Sequence, residues 1–268
     1  MERFYVPAAG ISSETAWIRG EAFKHLSKVL RLSPGDAVEI FDGEGKGYQG
    51  KIREITRDEA AVSLTGMVAQ RRESPLRTCL VQGIPKGEKM EWVVQKATEL
   101  GVSEIIPLEL TRSVVKLDQD KKRRERQERW QKVAAEAARQ CGRLAIPKVH
   151  MPQTLKKFLG ELDDHDLLLV PWEEGGEALG AVLEKQKGKL DRLRFEEAEG
   201  ASEETGREEA GCLYMLIGPE GGMAAGEVEL AKASGGINVT LGPRILRTET
   251  AGLMLLSVLQ FLWGDTGR

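Results

Sequence analysis

The sequence predicts an α/β fold in two parts, a small β-rich domain over residues 1–72 and a larger α/β domain over residues 73–268. In the larger part, short apolar runs alternate with helix-like stretches, which is the pattern that strand–helix units produce. The strand expected at 166–170 is continuously apolar from Leu167 to Val170, as is typical of a strand at the centre of a parallel sheet. The polar segment 70–75 between the two parts is interpreted as a linker.

The small domain is predicted from a hairpin. Residues 37–41 and 48–52 are strand-like and flank the glycine-rich loop 42–47. The sequence Ser-Pro-Gly-Asp at 33–36 indicates a turn, and residues 21–30 indicate a helix. Strands this short leave no open edge if they close into a small β-barrel, so a barrel is expected.

The larger domain is predicted from its hydrophobic periodicity. Strands are expected at 78–84, 105–108, 166–170, 212–217 and 237–241, and helices at 88–100 and 119–141. Gly101 follows the first of these helices, where a left-handed residue commonly ends a helix. Residues 186–210 are rich in Glu, Gly and Lys, which predicts a flexible, solvated acidic insertion with no role in the core.

The charge is unevenly distributed along the 268 residues. The net charge of -3 does not by itself indicate a polyanionic partner. Residues 112–148, however, carry twelve Lys/Arg against five acidic residues, whereas 196–209 carry seven glutamates and one arginine. The basic stretch could face phosphate, although a solvated helix face explains the charges at 121–129 equally simply.

The remaining composition excludes several classes of protein. Three cysteines (Cys79, Cys141 and Cys212) lie far apart without a Cys-x-x-Cys pair, which argues against a disulfide framework and fits the reducing cytoplasm. The N-terminus has no signal-peptide pattern, and the longest apolar run is too short to span a bilayer. Metal-ligand spacing is not found, and His150 and His165 are expected to be surface residues.

Two Gly-Pro turns near the C-terminus are the most informative feature. Gly218-Pro219 and Gly242-Pro243 each follow a strand-like run and open into a helix-like run. Open α/β sheets bind ligands at such turns, and two of them close together predict a small-molecule pocket. Neither a P-loop nor a Gly-x-Gly-x-x-Gly fingerprint is present. Tight connections without a ligand remain the alternative interpretation.

The second turn carries charged residues in an apolar context. Arg244 and Arg247 precede Glu249, which falls in the first turn of the next helix, where the helix dipole favours a carboxylate. Thr248 is expected to cap that helix. A plain helix start with two surface arginines remains an alternative to a reactive site.

The motifs around these turns resemble one family closely. Residues 216–222 (Leu-Ile-Gly-Pro-Glu-Gly-Gly) and 241–251 (Leu-Gly-Pro-Arg-Ile-Leu-Arg-Thr-Glu-Thr-Ala) are similar to the signature of the 16S ribosomal RNA uridine N3-methyltransferases, of the SPOUT class. Residues 81–102, 111–115, 136–143, 25–32 and 41–43 carry further similar motifs, so the resemblance covers nearly the whole chain. The insertion 186–210 departs from the usual length of the family.

The resemblance implies a fold, a reaction and partners. The fold is a C-terminal SPOUT α/β domain with a deep trefoil knot, which is a rare exception to ordinary chain connections, and an N-terminal PUA-like β-barrel. The reaction is methylation of N3 of one specific uridine in 16S ribosomal RNA of the small ribosomal subunit, with S-adenosyl-L-methionine as cofactor. The protein is expected to be a cytoplasmic homodimer. Two alternative functions remain open. One is an enzyme of the same fold that acts on transfer RNA or on another base atom, and the other is a non-catalytic RNA-binding adaptor.

The resemblance also implies site residues. The cofactor is expected to contact Leu169, Val170, Pro171, Leu216, Ile217, Gly218, Pro219, Glu220, Gly221, Leu241, Gly242, Arg244, Ile245, Leu246, Arg247 and Thr248. For catalysis, Arg247 is hypothesised to stabilise negative charge on the uracil, while Glu249 orients Arg247 or takes the N3 proton. RNA is expected to contact Arg3, His25, Arg31, Lys86, Lys89, Arg112, Arg139 and Arg143.

Overall fold

The computed structural model describes residues 1–69, 73–114, 119–194 and 211–267. The chain divides into two compact units. The first comprises Met1–Glu73 and Ala135–Ile146, and the second comprises Ser74–Ala134 and Pro147–Arg268. Residues 135–146 belong to the first unit although 135–141 continue a helix whose earlier turns belong to the second, and no local sequence pattern marks this division.

The first unit is built on a five-stranded sheet in the order β1-β3-β4-β5-β2. Its strands are β1 (Glu2–Tyr5), β2 (Thr15–Arg19), β3 (Ala37–Phe41), β4 (Gly47–Ile55) and β5 (Glu59–Met67). The predicted hairpin is confirmed by the antiparallel pairing of β3 with β4, in which Ile40 faces Tyr48. Helix α1 (Gly20–Lys24) continues as a wider π-helical turn over His25–Leu30, and its buried Phe23 and Leu26 pack into the core of this sheet.

Two arginines expected to contact RNA are instead structural parts of the first unit. The Arg3 guanidinium lies 2.7 Å from Glu39 and donates to the carbonyls of Arg139 and Arg143, each at 2.9 Å. Arg143 is itself only 6% exposed and pairs with Glu73 at 2.7 Å. A phosphate contact is made by an exposed cation, so this burial argues against the expectation, and contact of Arg3 and Arg143 with RNA stays a prediction. Their role is to hold residues 135–146 in this unit.

The second unit contains an eight-stranded sheet in which every described pairing is parallel. Its strands are β6 (Thr78–Gly83), β7 (Glu104–Glu109), β8 (Lys148–Val149), β9 (Gln153–Thr154), β10 (Leu167–Pro171), β11 (Glu177–Ala178), β12 (Leu213–Ile217) and β13 (Ile237–Thr240). The order is β11-β13-β10-β12-β6-β7-β8, with β9 paired to β7. This order places the predicted apolar strand β10 well inside the sheet, where both of its faces are covered.

The helices of the second unit are α2 (Lys89–Glu99), α3 (Asp120–Cys141, whose last turns belong to the first unit), α4 (Leu155–Leu159), α5 (Leu179–Lys185), α6 (Lys187–Arg192), α7 (Ala225–Ala233) and α8 (Thr248–Leu262). The two helices predicted with bounds in this domain, α2 and α3, begin and end close to the predicted positions. Gly101 has a φ of 83°, as predicted for the residue that follows α2. None of the helices in the described ranges combines the length and apolarity needed to cross a membrane.

The parallel sheet brings both Gly-Pro turns to one edge. In parallel strands the carboxyl ends point the same way, so the turns after β12 and β13 leave the sheet on the side where β10 also ends. After β13 the chain does not stay at that strand, because α8 packs on β6 and β12. Gly252 makes this approach close, since a Cβ there would lie 3.0 Å from the Leu80 Cδ1 atom. The trefoil knot itself stays a prediction.

The beginning of the segment 186–210 is part of the core, contrary to expectation. Residues 187–192 form α6, and Leu190 and Leu193 are 0% and 2% exposed. The apolar residues are spaced three apart on a helical turn, which the Glu- and Lys-rich composition concealed. Trp263 donates its indole N–H to Asp191 at 3.0 Å and ties α6 to the end of α8. The rest of the insertion, residues 195–210, lies outside the described residues.

A charged network joins the beginnings of β6 and β7 to the residue that follows β8. Glu104 accepts from Arg77 at 2.8 Å and contacts His150 Nε2 at 2.6 Å, so His150 is not the unpartnered surface residue expected from sequence. The hydrogen bond with His150 lowers the pKa of Glu104; burial opposes this, and Arg77 adds to the lowering. The pKa of Glu104 falls as a result from 4.5 to about 2.

We expect Glu104→Gln to destabilise the protein by about 2 kcal/mol at neutral pH. Because the folded pKa of Glu104 is depressed, its contribution is present above the unfolded pKa and is lost as pH falls through the folded pKa. The difference in unfolding free energy between wild type and variant should therefore shrink below about pH 4.5. Urea unfolding between pH 7 and pH 3 measures it. Glu99→Gln, which breaks the surface pair with Lys96, is the control and should change stability by less than about 1 kcal/mol. If the difference in unfolding free energy between wild type and Glu104→Gln stayed constant over this pH range, the depressed pKa of Glu104 would be contradicted.

Candidate active site

The two Gly-Pro turns enclose adjoining cavities at the carboxyl edge of the sheet. The larger has a volume of about 370 Å³ and lies against the first turn and the start of α8. The smaller, of about 140 Å³, lies against the second turn. Both share the walls formed by Pro171, Glu173, Ile245, Leu246 and Ala251. The prediction that the two turns meet at one pocket is therefore supported by the geometry.

A single hydroxyl joins the two turns. Thr248 Oγ1 donates to the carbonyl of Gly218 at 2.5 Å and accepts from Gln82 Nε2 at 2.8 Å. Thr248 is 7% exposed, so both bonds are shielded from water. The expectation that Thr248 caps α8 is wrong, because Arg247 occupies the N-cap position and Thr248 is already the first helical residue. Its hydroxyl therefore points across the pocket base instead of back to its own helix.

The first turn is also held from outside the cavity. Pro219 packs on Gly83, where a Cβ would lie 2.7 Å from the Pro219 nitrogen. Arg112 donates to the carbonyl of Gly221 at 2.9 Å, so this residue, expected to contact RNA, also supports the turn. Because these contacts fix the backbone, the turn is a preformed wall.

Lys89 connects a carboxylate of each turn. Its ammonium lies 3.2 Å from Glu220 Oε1 and 3.5 Å from Glu249 Oε2. Glu220 also accepts from the backbone N–H of Lys86 at 3.1 Å. Burial raises the pKa of Glu220, but the backbone N–H groups of Glu220 and Lys86 and the Lys89 ammonium outweigh it, so the net shift is downward. Lys89, expected to contact RNA, thus lies in the wall of the larger cavity.

Glu249 and Arg247 are the reactive groups that the larger cavity offers. Glu249 Oε2 is buried and has no hydrogen-bond partner within the described ranges, although Lys89 is at ion-pair distance. Arg247 lines the cavity and is exposed, and its guanidinium makes no hydrogen bond or ion pair with any described residue. Glu249 pairs with Lys89, so the structure gives no contact by which Glu249 would orient Arg247.

Most of the residues predicted for the cofactor line the cavities. Those that do are Pro171, Ile217, Gly218, Pro219, Glu220, Leu241, Gly242, Arg244, Ile245, Leu246, Arg247 and Thr248. Leu169, Val170 and Leu216 are buried in the sheet and support the pocket from below, and Gly221 stands beside it. The structure thus shows which of the predicted residues line the cavities. Contact of any of them with a cofactor stays a prediction.

Several lining residues were missed by sequence reasoning. They are Trp172, Glu173, Gly222, Met223, Thr240 and Ala251. Glu173 had a usable signal, because it is the first carboxylate after the apolar strand β10 ends. Within the described ranges, no group of three metal-ligating side chains is found.

The remaining residues predicted for RNA lie in both units. In the first unit, Arg31 is exposed, His25 is half-buried, and Arg139 pairs with Glu136. The hydrogen bond from Arg139 lowers the pKa of Glu136. In the second unit, Lys86 is exposed beside the first turn. Contact of these residues with RNA stays a prediction.

We expect Thr248→Val to destabilise the protein and loosen the pocket. The substitution keeps the shape but leaves the Gly218 carbonyl and the Gln82 amide without their partner, at a cost of about 1–3 kcal/mol. Thr248→Ser should retain most of the stability, and Thr250→Val, on an exposed position of α8, is the matched control. Chemical unfolding measures all three. Equal stability of Thr248→Val and Thr250→Val would show that the hydroxyl does not join the turns.

Comparisons with known proteins agree with this geometry. The model of the RNA methyltransferase domain matches residues 72–260, and that of the RNA methyltransferase PUA domain matches residues 18–65. The chain is 32% identical over 264 residues to ribosomal RNA small subunit methyltransferase E of Bacillus subtilis, covering 97% of this chain and 96% of the relative. The corresponding protein of Synechocystis is 30% identical, with 97% and 77% covered.

Solved structures show the same fold with a cofactor in place. Ribosomal RNA small subunit methyltransferase E from Neisseria gonorrhoeae, bound to S-adenosyl methionine, has a TM-score of 0.82 and 30% identity, with 99% of each chain covered. A structure from Legionella pneumophila, in complex with the bound cofactor SAM, has a TM-score of 0.80 and 32% identity, with 98% of each covered. The predicted fold class, a SPOUT α/β domain with an N-terminal PUA-like domain, is confirmed. This chain belongs to the RNA methyltransferase family that these two domains define.

Proposed function

We propose that this protein transfers a methyl group from S-adenosyl-L-methionine to N3 of one uridine in 16S ribosomal RNA of the small ribosomal subunit. The observation that carries the proposal is the pair of Gly-Pro turns, joined by Thr248 around a cavity lined by a buried oxygen of Glu249 and by Arg247, which has no partner among the described residues. The relatives named above act on small-subunit ribosomal RNA, and the two structural neighbours hold S-adenosyl methionine.

The residues present fit this cofactor. When bound, S-adenosylmethionine supplies a methyl group already activated on a sulfonium. The smaller cavity has apolar walls from Leu241, Ile245 and Leu246 and the backbone of a glycine turn, which suits an adenosine. The larger cavity contains the two candidate reactive groups and leaves room for a second molecule, the base to be methylated.

The reaction requires the N3 proton to be removed, because neutral N3–H is a poor nucleophile. Glu249 accepts this proton through its unpartnered Oε2, and Lys89 holds the carboxylate in place. The guanidinium of Arg247 stabilises the negative charge that develops on the uracil carbonyl oxygens as the proton leaves. The N3 electron pair would then form the new bond to the methyl carbon as the bond from that carbon to sulfur breaks and leaves its electron pair on a neutral thioether, while the fixed walls hold donor and acceptor in line.

The RNA partner and the assembly state complete the proposal. RNA contacts are assigned to His25, Arg31 and Arg139 in the first unit, and to Lys86, Lys89 and Arg112 in the second. The relationship to the family supports a homodimer, for which the exposed Trp92, Phe261 and Leu262 on α2 and α8 are candidate contact residues. It equally supports the deep trefoil knot and a place in the cytoplasm, where ribosomal RNA is modified.

We expect Arg247→Ala to lower turnover at least a hundredfold while S-adenosylmethionine still binds within about threefold of wild type. Losing a positioned donor to a developing oxyanion costs rates of this order. Transfer of labelled methyl to small-subunit ribosomal RNA from cells lacking the protein measures turnover, and calorimetry measures binding. Mass mapping of that RNA identifies the base and the atom.

The matched control is Arg244→Ala, which removes an exposed guanidinium from the smaller cavity. It should weaken cofactor binding and leave turnover at saturating cofactor nearly unchanged. Methylation by Arg247→Ala at the wild-type rate would contradict the catalytic role of Arg247. Absence of any heat of binding with wild-type protein would favour an RNA-binding adaptor instead.

We expect Arg31→Gln to weaken binding of small-subunit ribosomal RNA by about three- to tenfold and to reduce the slope of affinity against salt by about one phosphate contact. Arg31 is exposed and carries its charge at the end of the π-helical turn. Arg57→Gln, an exposed cation of the same unit with no assigned contact, is the control. If the affinity of the two variants for RNA depended equally on salt, Arg31 would not be a phosphate contact.

A further inference from the structure

Glu173 stands where the two cavities adjoin. It follows β10 by two residues and lines both the larger and the smaller cavity. If adenosine occupies the smaller cavity and the target base the larger, the atom that links adenosine to the transferred methyl lies at their shared walls. That atom is the sulfonium sulfur. Glu173 is the charged side chain among these shared walls.

The other carboxylates of the larger cavity already have cationic partners. Glu220 and Glu249 both lie within ion-pair distance of Lys89. Glu173 makes no hydrogen bond or ion pair with any residue in the described ranges. Its charge is therefore available to a ligand.

The lining charges of the two cavities balance, so the place of Glu173 and not an excess of charge sets it apart. Three carboxylates (Glu173, Glu220 and Glu249) face three cations (Lys89, Arg244 and Arg247). The amino-acid end of S-adenosylmethionine is a zwitterion, so the sulfonium gives the cofactor a net charge of plus one. After transfer, the product S-adenosylhomocysteine has a neutral thioether and no net charge. A carboxylate at the shared walls therefore attracts the charged donor and not the neutral product.

The first turn is shaped to receive the Glu173 carboxylate. Gly222 has a φ of 68°, and a Cβ at this position would lie 2.5 Å from Glu173 Oε1. A side chain at residue 222 would displace the carboxylate as well as strain the backbone. Glycine here allows Glu173 to lie against the turn that carries Gly218 and Glu220.

We propose that Glu173 is a specificity-determining residue that favours the charged methyl donor over its neutral product by pairing with the sulfonium. This inference rests on the proposed function, since it takes S-adenosylmethionine as the ligand. It assigns to Glu173 a role in binding, separate from the proton transfer of Glu249 and the charge stabilisation of Arg247.

The test is calorimetric binding of three ligands to wild type and to Glu173→Gln, which is isosteric and uncharged. S-adenosylmethionine should bind the variant about two- to fivefold more weakly, as expected for loss of one exposed ion pair. S-adenosylhomocysteine should bind both proteins equally. Sinefungin carries an amine cation in place of the methylated sulfonium, so it should lose affinity as S-adenosylmethionine does.

The control variant is Glu174→Gln, which removes the same charge from an exposed neighbour that lines neither cavity. It should leave all three affinities unchanged. Equal weakening of donor and product by Glu173→Gln, or no change in either, would overturn the proposal. A loss equal in Glu174→Gln would overturn it as well, because it would reflect the general field of the surface. Failure of wild type to bind S-adenosylmethionine would instead remove the proposed function.

Discussion

The pocket depends on the hydroxyl of Thr248. The turns that it joins leave two different strands, β12 and β13, and β10 separates these strands in the sheet. A sheet fixes the position of its strands but not the path of a turn beyond the last ladder hydrogen bond. The donation to Gly218 and the bond from Gln82 extend that order into the loops. Since the group is nearly inaccessible to water, neither loop can withdraw without leaving a buried polar group unpaired.

Charge is distributed around the larger cavity so that different groups remain free for different tasks. Lys89 neutralises carboxylates from both turns and comes from a third element, the start of α2. Lys89 pairs with Glu220 and Glu249, and the guanidinium of Arg247 makes no hydrogen bond or ion pair with the residues that the structure describes, so it can face a substrate. An Arg247–Glu249 pair would have consumed both reactive groups. The position of one lysine therefore decides which charges act on a ligand.

Features that depend on neighbouring residues, such as strand positions and the loops of the pocket, could be predicted from the sequence. Apolar runs located β6, β10, β12 and β13 to within a residue or two, because strands buried on both faces have no competing signal. The loop signature located the pocket through its resemblance to a family. The long-range pairings were beyond reach. Nothing near Lys89 indicates that it meets Glu249, and nothing near Arg3 indicates burial against residues 139 and 143, more than a hundred positions away.

Electrostatic attraction between Glu173 and a sulfonium would stabilise the bound donor before the reaction. This limits the contribution of Glu173 to ligand binding. As the methyl leaves, positive charge on sulfur disappears and the attraction fades, so Glu173 does not lower the barrier of the transfer. Its effect is on binding before and after the chemical step. The carboxylate raises the affinity for the donor relative to the affinity for the product. Arg247 acts in the opposite sense, because the charge it stabilises grows on the uracil during the reaction. The two side chains line the same cavity, one matched to the charge that is lost and the other to the charge that forms.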